Sequence, residues 1–535
     1  MSSKTVSMLD QFSRKSLKLR PQATIFWISL IVVAISLTLH EPWLDEADAP
    51  LKLNFHGWNL WQLMESFRGN GHFPLYHVFL FPLFNVGRLV GIDSFSLVKL
   101  FTFIQYSLLA FLVCRWIAFP FSALLLFSYY PAYEYGTISR CYLLALIFLL
   151  IIFKDLTSST KIYPVFRALA YFCFPLTHVL SLIFALPLLA YSLLKRHWMA
   201  VSALVASFII CAYYLAIQET DDPFTQFAYL TDQQLTGFEY VSGLFNSILS
   251  AWFPFTTQSP WWNYSFAENL SGFSLVVPFF LFLAVVAALI YLYRLYPLLT
   301  LSCASGAAGC AIILLIKYYG GSLRHIGYVC WPFLCLIALT LGGDDIGSPQ
   351  RFTAGASNES NGNEPRSLKL LSRLPVFASV FLLTLNSFFG LAAIAKDMVS
   401  PFDSSALQLQ LLRDLEAEIG TEPQVFAHPC WSFMQVAVLS NWEYDNSPLW
   451  YPEGTGCVGQ PGIQQLQEAQ YENNVVLTMW GTTIEDENVL PNPALSEQLG
   501  LSFGELMEQK GLTCRKQAEF RDVQTVITNV YFCES

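Results

Sequence analysis

A series of long apolar runs decides what this chain can fold into. About eleven of them fall at 24–40, 98–117, 118–133, 141–157, 164–177, 179–194, 198–217, 272–293, 297–316, 327–342 and 375–395. A helix needs about 20 apolar residues to cross a bilayer. Helices and closed barrels are the structures that satisfy the backbone there. With 54% hydrophobic and 13% charged residues, the chain reads as a polytopic α-helical membrane protein. The net charge of −10 gathers in a few loops and at the C-terminal end. No basic face or stripe is present, which excludes a nucleic-acid partner.

Charge sets the expected sidedness. Lys4, Arg14, Lys15, Lys18 and Arg20 precede the first run, and no small-residue cleavage site follows it. Residues 1–23 are therefore expected in the cytoplasm, ahead of a retained first span. The run at 73–92 carries His77, Arg88, two prolines and two glycines. If it lies along the interface, Arg115, Lys154, Lys161, Lys195, Arg196, Arg294, Arg366, Lys369 and Arg373 all fall on the cytoplasmic side. If it crosses, every later turn flips. The positive-inside bias favours the interfacial placement. Outward loops are then 41–97, 134–140 and 218–271, with a short loop holding Lys317 and Arg324. The Gly/Ser/Asn-rich stretch 347–367 reads as a cytoplasmic linker.

The polytopic domain spans 24–395, and composition changes after it. Within 396–535, SSALQLQLLRDLEAEIG has helical spacing and a terminal glycine. QVFAHP, NNVVLTMW and QTVITNVYF read as short strands. ALSEQLGLSFGELMEQKGL is again helical. The expectation is a small extracytoplasmic α/β domain. It holds Cys430, Cys457, Cys514 and Cys533, an even number that permits two disulfides in an oxidising compartment. CRKQAEF and QTVITNVYFC flank a polar turn at Arg521–Val523. Folding there brings Cys514 opposite Cys533, at a distance a disulfide can bridge. Cys430–Cys457 is the second candidate pair.

The residues that can carry chemistry sit at span ends on one side. Loop 41–97 opens with Glu41, Asp45, Glu46 and Asp48, carboxylates able to deprotonate an acceptor or bind a divalent metal. On the same side lie His72, Tyr76, Arg140, Tyr142, His178, Lys317 and Arg324. Taken singly, each has a plainer reading. The acidic loop can be merely solvated, the arginines can snorkel, Lys317 can anchor at the interface, His178 can be a packed histidine, and the tyrosines can form an aromatic belt. Their shared side favours a site. No zinc CxxC pair or P-loop supports a nucleotide-sugar donor.

The order of these elements resembles the C superfamily of membrane glycosyltransferases, above all glycosyltransferase family 39 with its protein-mannosyltransferase-like and aminoarabinose-transferase-like relatives. Those have an acidic Asp-Glu motif after the first span, here Asp45-Glu46. A PPLYY-like interfacial segment follows, here Phe73 to His77. An Arg-x-Tyr motif opens a later span, here Arg140-Cys141-Tyr142. A Thr-His step matches Thr177-His178, and an Arg-Tyr-like step matches Arg324-His325. Phe73 replaces the first proline and His325 replaces the tyrosine. The likeness covers roughly 20–345.

The resemblance implies a polyprenyl-phosphate-linked sugar as donor and a glycan, lipid or protein acceptor on the far side of the membrane. Asp45 would be the base, with Glu46 beside it, and Arg140 and Arg324 would steady the departing phosphate. It also implies attack in one inverting step. The expected setting is a cell's inner membrane. The competing expectation is a transporter or lipid-binding protein without catalysis, but such proteins place charges near the midplane.

Overall fold

The computed structural model describes residues 3–41, 44–68, 73–158, 162–216, 245, 248–254, 276–318, 323–343, 366–399, 404–428, 434–440, 444, 474–480, 503–521 and 527–534. It is a helical bundle carrying a small sheet domain. The bundle runs α1 (Ser3–Leu39), α2 (Leu44–His56), α3 (Leu60–Glu65), α4 (Leu75–Leu89), α5 (Ser94–Trp116), α6 (Phe121–Leu126), a π turn (Tyr130–Glu134), α7 (Tyr142–Thr157), α8 (Pro164–Cys173), α9 (Val179–Leu194) and α10 (Trp198–Leu215). It continues with α11 (Val276–Leu295), α12 (Pro297–Tyr318), a single turn Leu323–Ile326 leading through a 3-10 turn into α13 (Trp331–Gly342), and α14 (Arg366–Val399).

Among the described residues, seven helical segments are long and apolar enough to cross a membrane. They are Pro21–Leu39, Ser94–Trp116, Trp198–Leu215, Val277–Leu295, Pro297–Leu315, Arg324–Gly342 and Arg373–Val399. The other four of the eleven apolar runs form shorter pieces. Run 118–133 makes only the six-residue α6 and the start of the π turn. Pro120 precedes the first and Pro131 is the second residue of the second, and neither can donate an intrahelical hydrogen bond. The runs 141–157, 164–177 and 179–194 give α7, α8 and α9, of 16, 10 and 16 residues. At 1.5 Å per residue a 16-residue helix is about 24 Å long, short of a hydrocarbon core of about 30 Å. α7 is buried along most of its length. It forms the middle of the bundle, where protein rather than lipid surrounds it.

The two ends of the bundle are tied separately. At one, Gln22 Nε2 donates to the Ile117 carbonyl at 3.2 Å and Ala118 N–H to the Gly342 carbonyl at 2.7 Å. At the other, Ser36 and Thr137 share a hydroxyl hydrogen bond of 2.8 Å, and His40 meets the end of α14 at Asp397. α5 ends near Arg115 at the first tie, and α7 and α9 run from the second end toward Lys154 and Lys195. Gly390 lets α14 pass close to the backbone of Phe127 and Ser128, where a Cβ would overlap a carbonyl oxygen.

The run 73–92 forms α4, a 15-residue helix with Pro82 inside. One face buries Tyr76, His77, Leu80 and Phe84, while Phe79, Val86 and Leu89 are exposed. At about 22 Å it is too short to span.

The C-terminal part comprises α15 (Ser405–Ile419), β1 (Gln424–His428), α16 (Met434–Leu439), β2 (Asn474–Trp480), α17 (Phe503–Gln509), β3 (Thr513–Arg521) and β4 (Ile527–Glu534). α15 stops at Gly420, whose φ of +74° is the left-handed cap that glycine adopts without cost. The sheet order is β1-β2-β4-β3, with β1 and β2 parallel and the remaining pairs antiparallel. Cys514 and Cys533 face each other across β3 and β4 and are joined by a disulfide. Cys430 and Cys457 lie outside the described residues. The domain rests on the bundle through α16, which packs against α2 and α5.

Candidate active site

α2 begins immediately after the first span, so its first turn carries Asp45 and Glu46 where a helix N-terminus favours negative charge. Glu46 is fully buried. Its Oε2 meets His40 Nε2 at 2.9 Å, and its Oε1 accepts the Ser139 N–H at 2.6 Å. The other ring nitrogen of His40, Nδ1, meets Asp397 Oδ2 at 2.8 Å. A neutral imidazole has one donor nitrogen, whereas the protonated ring has two. Two carboxylates on opposite nitrogens therefore hold His40 as the cation. Burial alone would discharge it, but Asp397 and Glu46 override that and raise its pKa from 6.5 to about 10. Lys99 Nζ adds a 2.8 Å hydrogen bond to the His40 carbonyl. The first span, the last span, α2 and the turn before α7 are thus joined at one buried point. Asp48 pairs with Lys52 at 3.2 Å.

Glu46 grips the residue just before Arg140, so the acidic helix and the arginine share an anchor. Two residues on, Tyr142 opens α7. Its ring stacks on Tyr135 at 5.2 Å and meets His178 at 5.0 Å and His325 at 6.0 Å. His178 and His325 stack at 5.8 Å. His178 is also the N-cap of α9, its Nδ1 accepting the Leu180 N–H at 3.2 Å. A neutral His178 therefore carries its proton on Nε2. A hydroxyl chain supports this face, with Thr177 to Ser181 at 2.7 Å and Ser181 to Tyr328 at 2.6 Å.

Arg324 arrives from the turn before α13. Tyr135 OH donates to its carbonyl at 2.8 Å. Gly327 permits the approach, since a Cβ there would overlap the Tyr135 hydroxyl and the Tyr130 ring. The Cys141 side chain lies within electrostatic reach of Arg140, Arg324 and Asp48 together. Tyr76, buried on α4, feels Arg140 and Glu46.

The structure thus brings Glu46, Tyr76, Arg140, Tyr142, His178 and Arg324 to one end of the bundle. Asp45 holds its place on the first turn of α2 and Lys317 its place near the end of α12, but both side chains are outside those described. His72 lies outside the described residues, as does most of loop 218–271. Among the described residues, no group of three or more His, Cys, Asp or Glu is arranged to hold a metal ion. Sequence reasoning did not single out His40, Asp397, Glu134 or Tyr135. His40 and Asp397 obey the rule that exposed Arg140, being charges at span ends on the same side. Glu134 and Tyr135 gave no such signal.

No protein-family model matches the chain, and no curated protein matches it. Two solved structures of ArnT from Cupriavidus metallidurans are similar to it. The one bound to undecaprenyl phosphate is 14% identical with a TM-score of 0.46. The one in the apo state is 12% identical with a TM-score of 0.48. Both alignments cover 95% of this chain and 97% of the other. The functional reading below rests on the residues of the site rather than on this likeness.

Proposed function

We propose that this protein is an integral membrane glycosyltransferase that moves a sugar from a polyprenyl-phosphate carrier to an acceptor on the extracytoplasmic side. The observation that carries the reading is that Arg140 and Arg324, from distant parts of the chain, both lie within electrostatic reach of Cys141, beside an acidic helix and a Tyr-His cluster. Guanidinium forks match phosphate oxygens. A lipid phosphate stays in the bilayer while its head group sits at such a bundle end.

In the reaction, Asp45 takes the proton of the acceptor hydroxyl as its oxygen attacks the anomeric carbon. The bond from that carbon to the phosphate oxygen breaks, and the lipid phosphate leaves with the electron pair. Arg140 and Arg324 stabilise the charge it gains, the kind of interaction that is usually the largest catalytic term. A single displacement inverts the sugar centre. Glu46, with both oxygens engaged, acts as a positioning residue that holds α2 and the Arg140 turn in register. Tyr142, His178 and His325 form an aromatic cluster that can contact a sugar, and Tyr76 on α4 borders it. Lys317 and His72 border the same end in sequence. A divalent metal is compatible with the loop carboxylates, but the reaction as written needs none.

Arg115, Lys154 and Lys195 at the ends of α5, α7 and α9 support a cytoplasmic side for the opposite end of the bundle by the positive-inside rule. The α/β domain, seated on α2, is then extracytoplasmic. The test is mass spectrometry of glycolipids and glycans from cells carrying the wild type, the Arg324→Lys variant or no protein. A sugar adduct present only with the wild type, together with its lipid donor accumulating in the variant, is expected. Identical profiles in all three would overturn the reading.

A further inference from the structure

The π turn holds a buried acid that the reaction above does not use. Glu134 is 3% exposed, and its Oε2 accepts a 2.9 Å hydrogen bond from Tyr129 OH. Its neighbour Tyr135 grips the Arg324 backbone, so the same turn holds Arg324 by its main chain and sets a carboxylate within electrostatic reach of it. The other charges that Glu134 feels are His40 at the end of α1 and Glu46 on α2. Asp397, on the α14 helix packed against the turn, lies within reach of Tyr129 and Tyr133. Tyr129 meets Tyr130 at 5.3 Å and Tyr133 at 5.7 Å. These rings exclude water from the carboxylate. π turns inside helical segments are frequent at functional sites.

Resting on the phosphate role given to Arg324, we propose that Glu134 is the resident counter-charge of Arg324 and takes up a proton when a lipid-phosphate donor binds. Arg324 and the Glu134 carboxylate lie within electrostatic reach of each other. A bound phosphodiester brings a second anion to the same cation, and the Glu134 carboxylate is too buried for solvent to screen the repulsion well. The cheaper outcome is neutralisation of the buried carboxylate by a proton from solvent. No bond other than that O–H forms or breaks.

The acid is suited to the task. Burial raises its pKa to about 7 against the opposing pull of Tyr129, Arg324 and His40. An added anion raises it further. The linkage follows. Below that pKa the proton is already present and Glu134 does not compete with the incoming anion. As pH rises through it, binding must also recruit a proton, and affinity falls.

The test uses the full-length protein in lipid nanodiscs and farnesyl methyl phosphate, a phosphodiester whose single charge is constant over the range. Wild-type affinity should fall by about fivefold between about pH 6 and pH 8, most of the roughly tenfold span set by one proton whose pKa rises by about one unit on binding. Calorimetry in buffers of different ionisation enthalpy should register the proton taken up. Glu134→Gln should bind at least as tightly as the wild type at its acid limit, with no pH slope and no proton. Tyr129→Phe removes a hydrogen bond that favours the carboxylate, so its midpoint should move to higher pH. Binding without a pH slope in the wild type, or a wild-type slope kept by Glu134→Gln, would overturn the inference alone. Absence of diester binding at every pH would overturn the functional reading and this inference with it. If Glu134→Gln does not fold, an unshifted midpoint in Tyr129→Phe overturns the inference.

Discussion

His40→Ala removes the one cation between two buried carboxylates. The rise of the His40 pKa from 6.5 to about 10 corresponds to about 5 kcal/mol of interaction when the ring is protonated in both folded and unfolded states. Because the folded pKa is the higher one, that stabilisation is complete below the unfolded pKa and is lost as pH rises through the folded one. At about pH 7.5 roughly 3 kcal/mol remains. Deleting one partner of a buried ion pair independently suggests about 3–5 kcal/mol, since the survivors stay buried and uncompensated. Equilibrium unfolding in mixed micelles should therefore show His40→Ala destabilised by about 3 kcal/mol or more. The wild-type advantage should shrink as the buffer is taken from neutral toward pH 10. Adding Asp397→Asn should recover part of the loss, because one uncompensated carboxylate disappears with it. A His40→Ala protein within about 1 kcal/mol of wild type, with no coupling to Asp397→Asn, would refute the charge assignment.

The remaining expectations concern the reaction, the clamp, the sheet and the topology. Asp45→Asn keeps shape but removes basicity, and turnover should fall by about two to four orders of magnitude; near-normal transfer by a folded variant would exclude Asp45 as the base. Arg324→Lys and Arg140→Lys keep charge but lose the planar fork, so transfer at limiting donor should drop while folding persists; wild-type kinetics in both would remove the clamp. The Cys514–Cys533 bridge closes a loop with a sequence separation of 19, for which chain entropy gives about 3 kcal/mol. Cys533→Ser should accordingly speed proteolysis of the C-terminal domain, and non-reducing peptide maps of the exported wild type should contain the linked pair rather than two alkylated thiols. Accessibility labelling should place position 360 in the cytoplasm and position 450 outside; a cytoplasmic 450 would remove the proposed site from the far side.

Much of this architecture was legible because bilayer thickness and side-chain period act locally. Spans such as 24–40 and 297–316 declared themselves by apolar length, and α15 by its spacing and its closing Gly420. The strands β1, β2 and β4 lie at their β-branched runs. The opposition of Cys514 and Cys533 followed from counting about a turn, because a hairpin's register is a local quantity. Arg140, Tyr142, His178 and Arg324 stood out because charge at a span end is costly without water or a partner.

Other features depended on which distant segments meet. The run 118–133 had a span's composition but broke into α6 and a π turn, since its prolines remove hydrogen bonds and α13 and α14 pack around what remains. Glu46 resembled any acidic loop residue until His40 and Ser139 occupied its two oxygens. Asp397 lies 357 positions from His40, and no local pattern links them. Glu134 carried no signal in its neighbourhood, because its burial comes from tyrosines on its own turn and its charge partners come from three other parts of the chain. Hydropathy and span-end charge are properties of short windows, so sequence alone determined the membrane class, the expected sidedness and the candidate arginines. The partner of each buried charge is a property of the closed bundle, so only the tertiary structure decided which carboxylates are anchored, and which distant segments bring Arg140 and Arg324 within reach of Cys141.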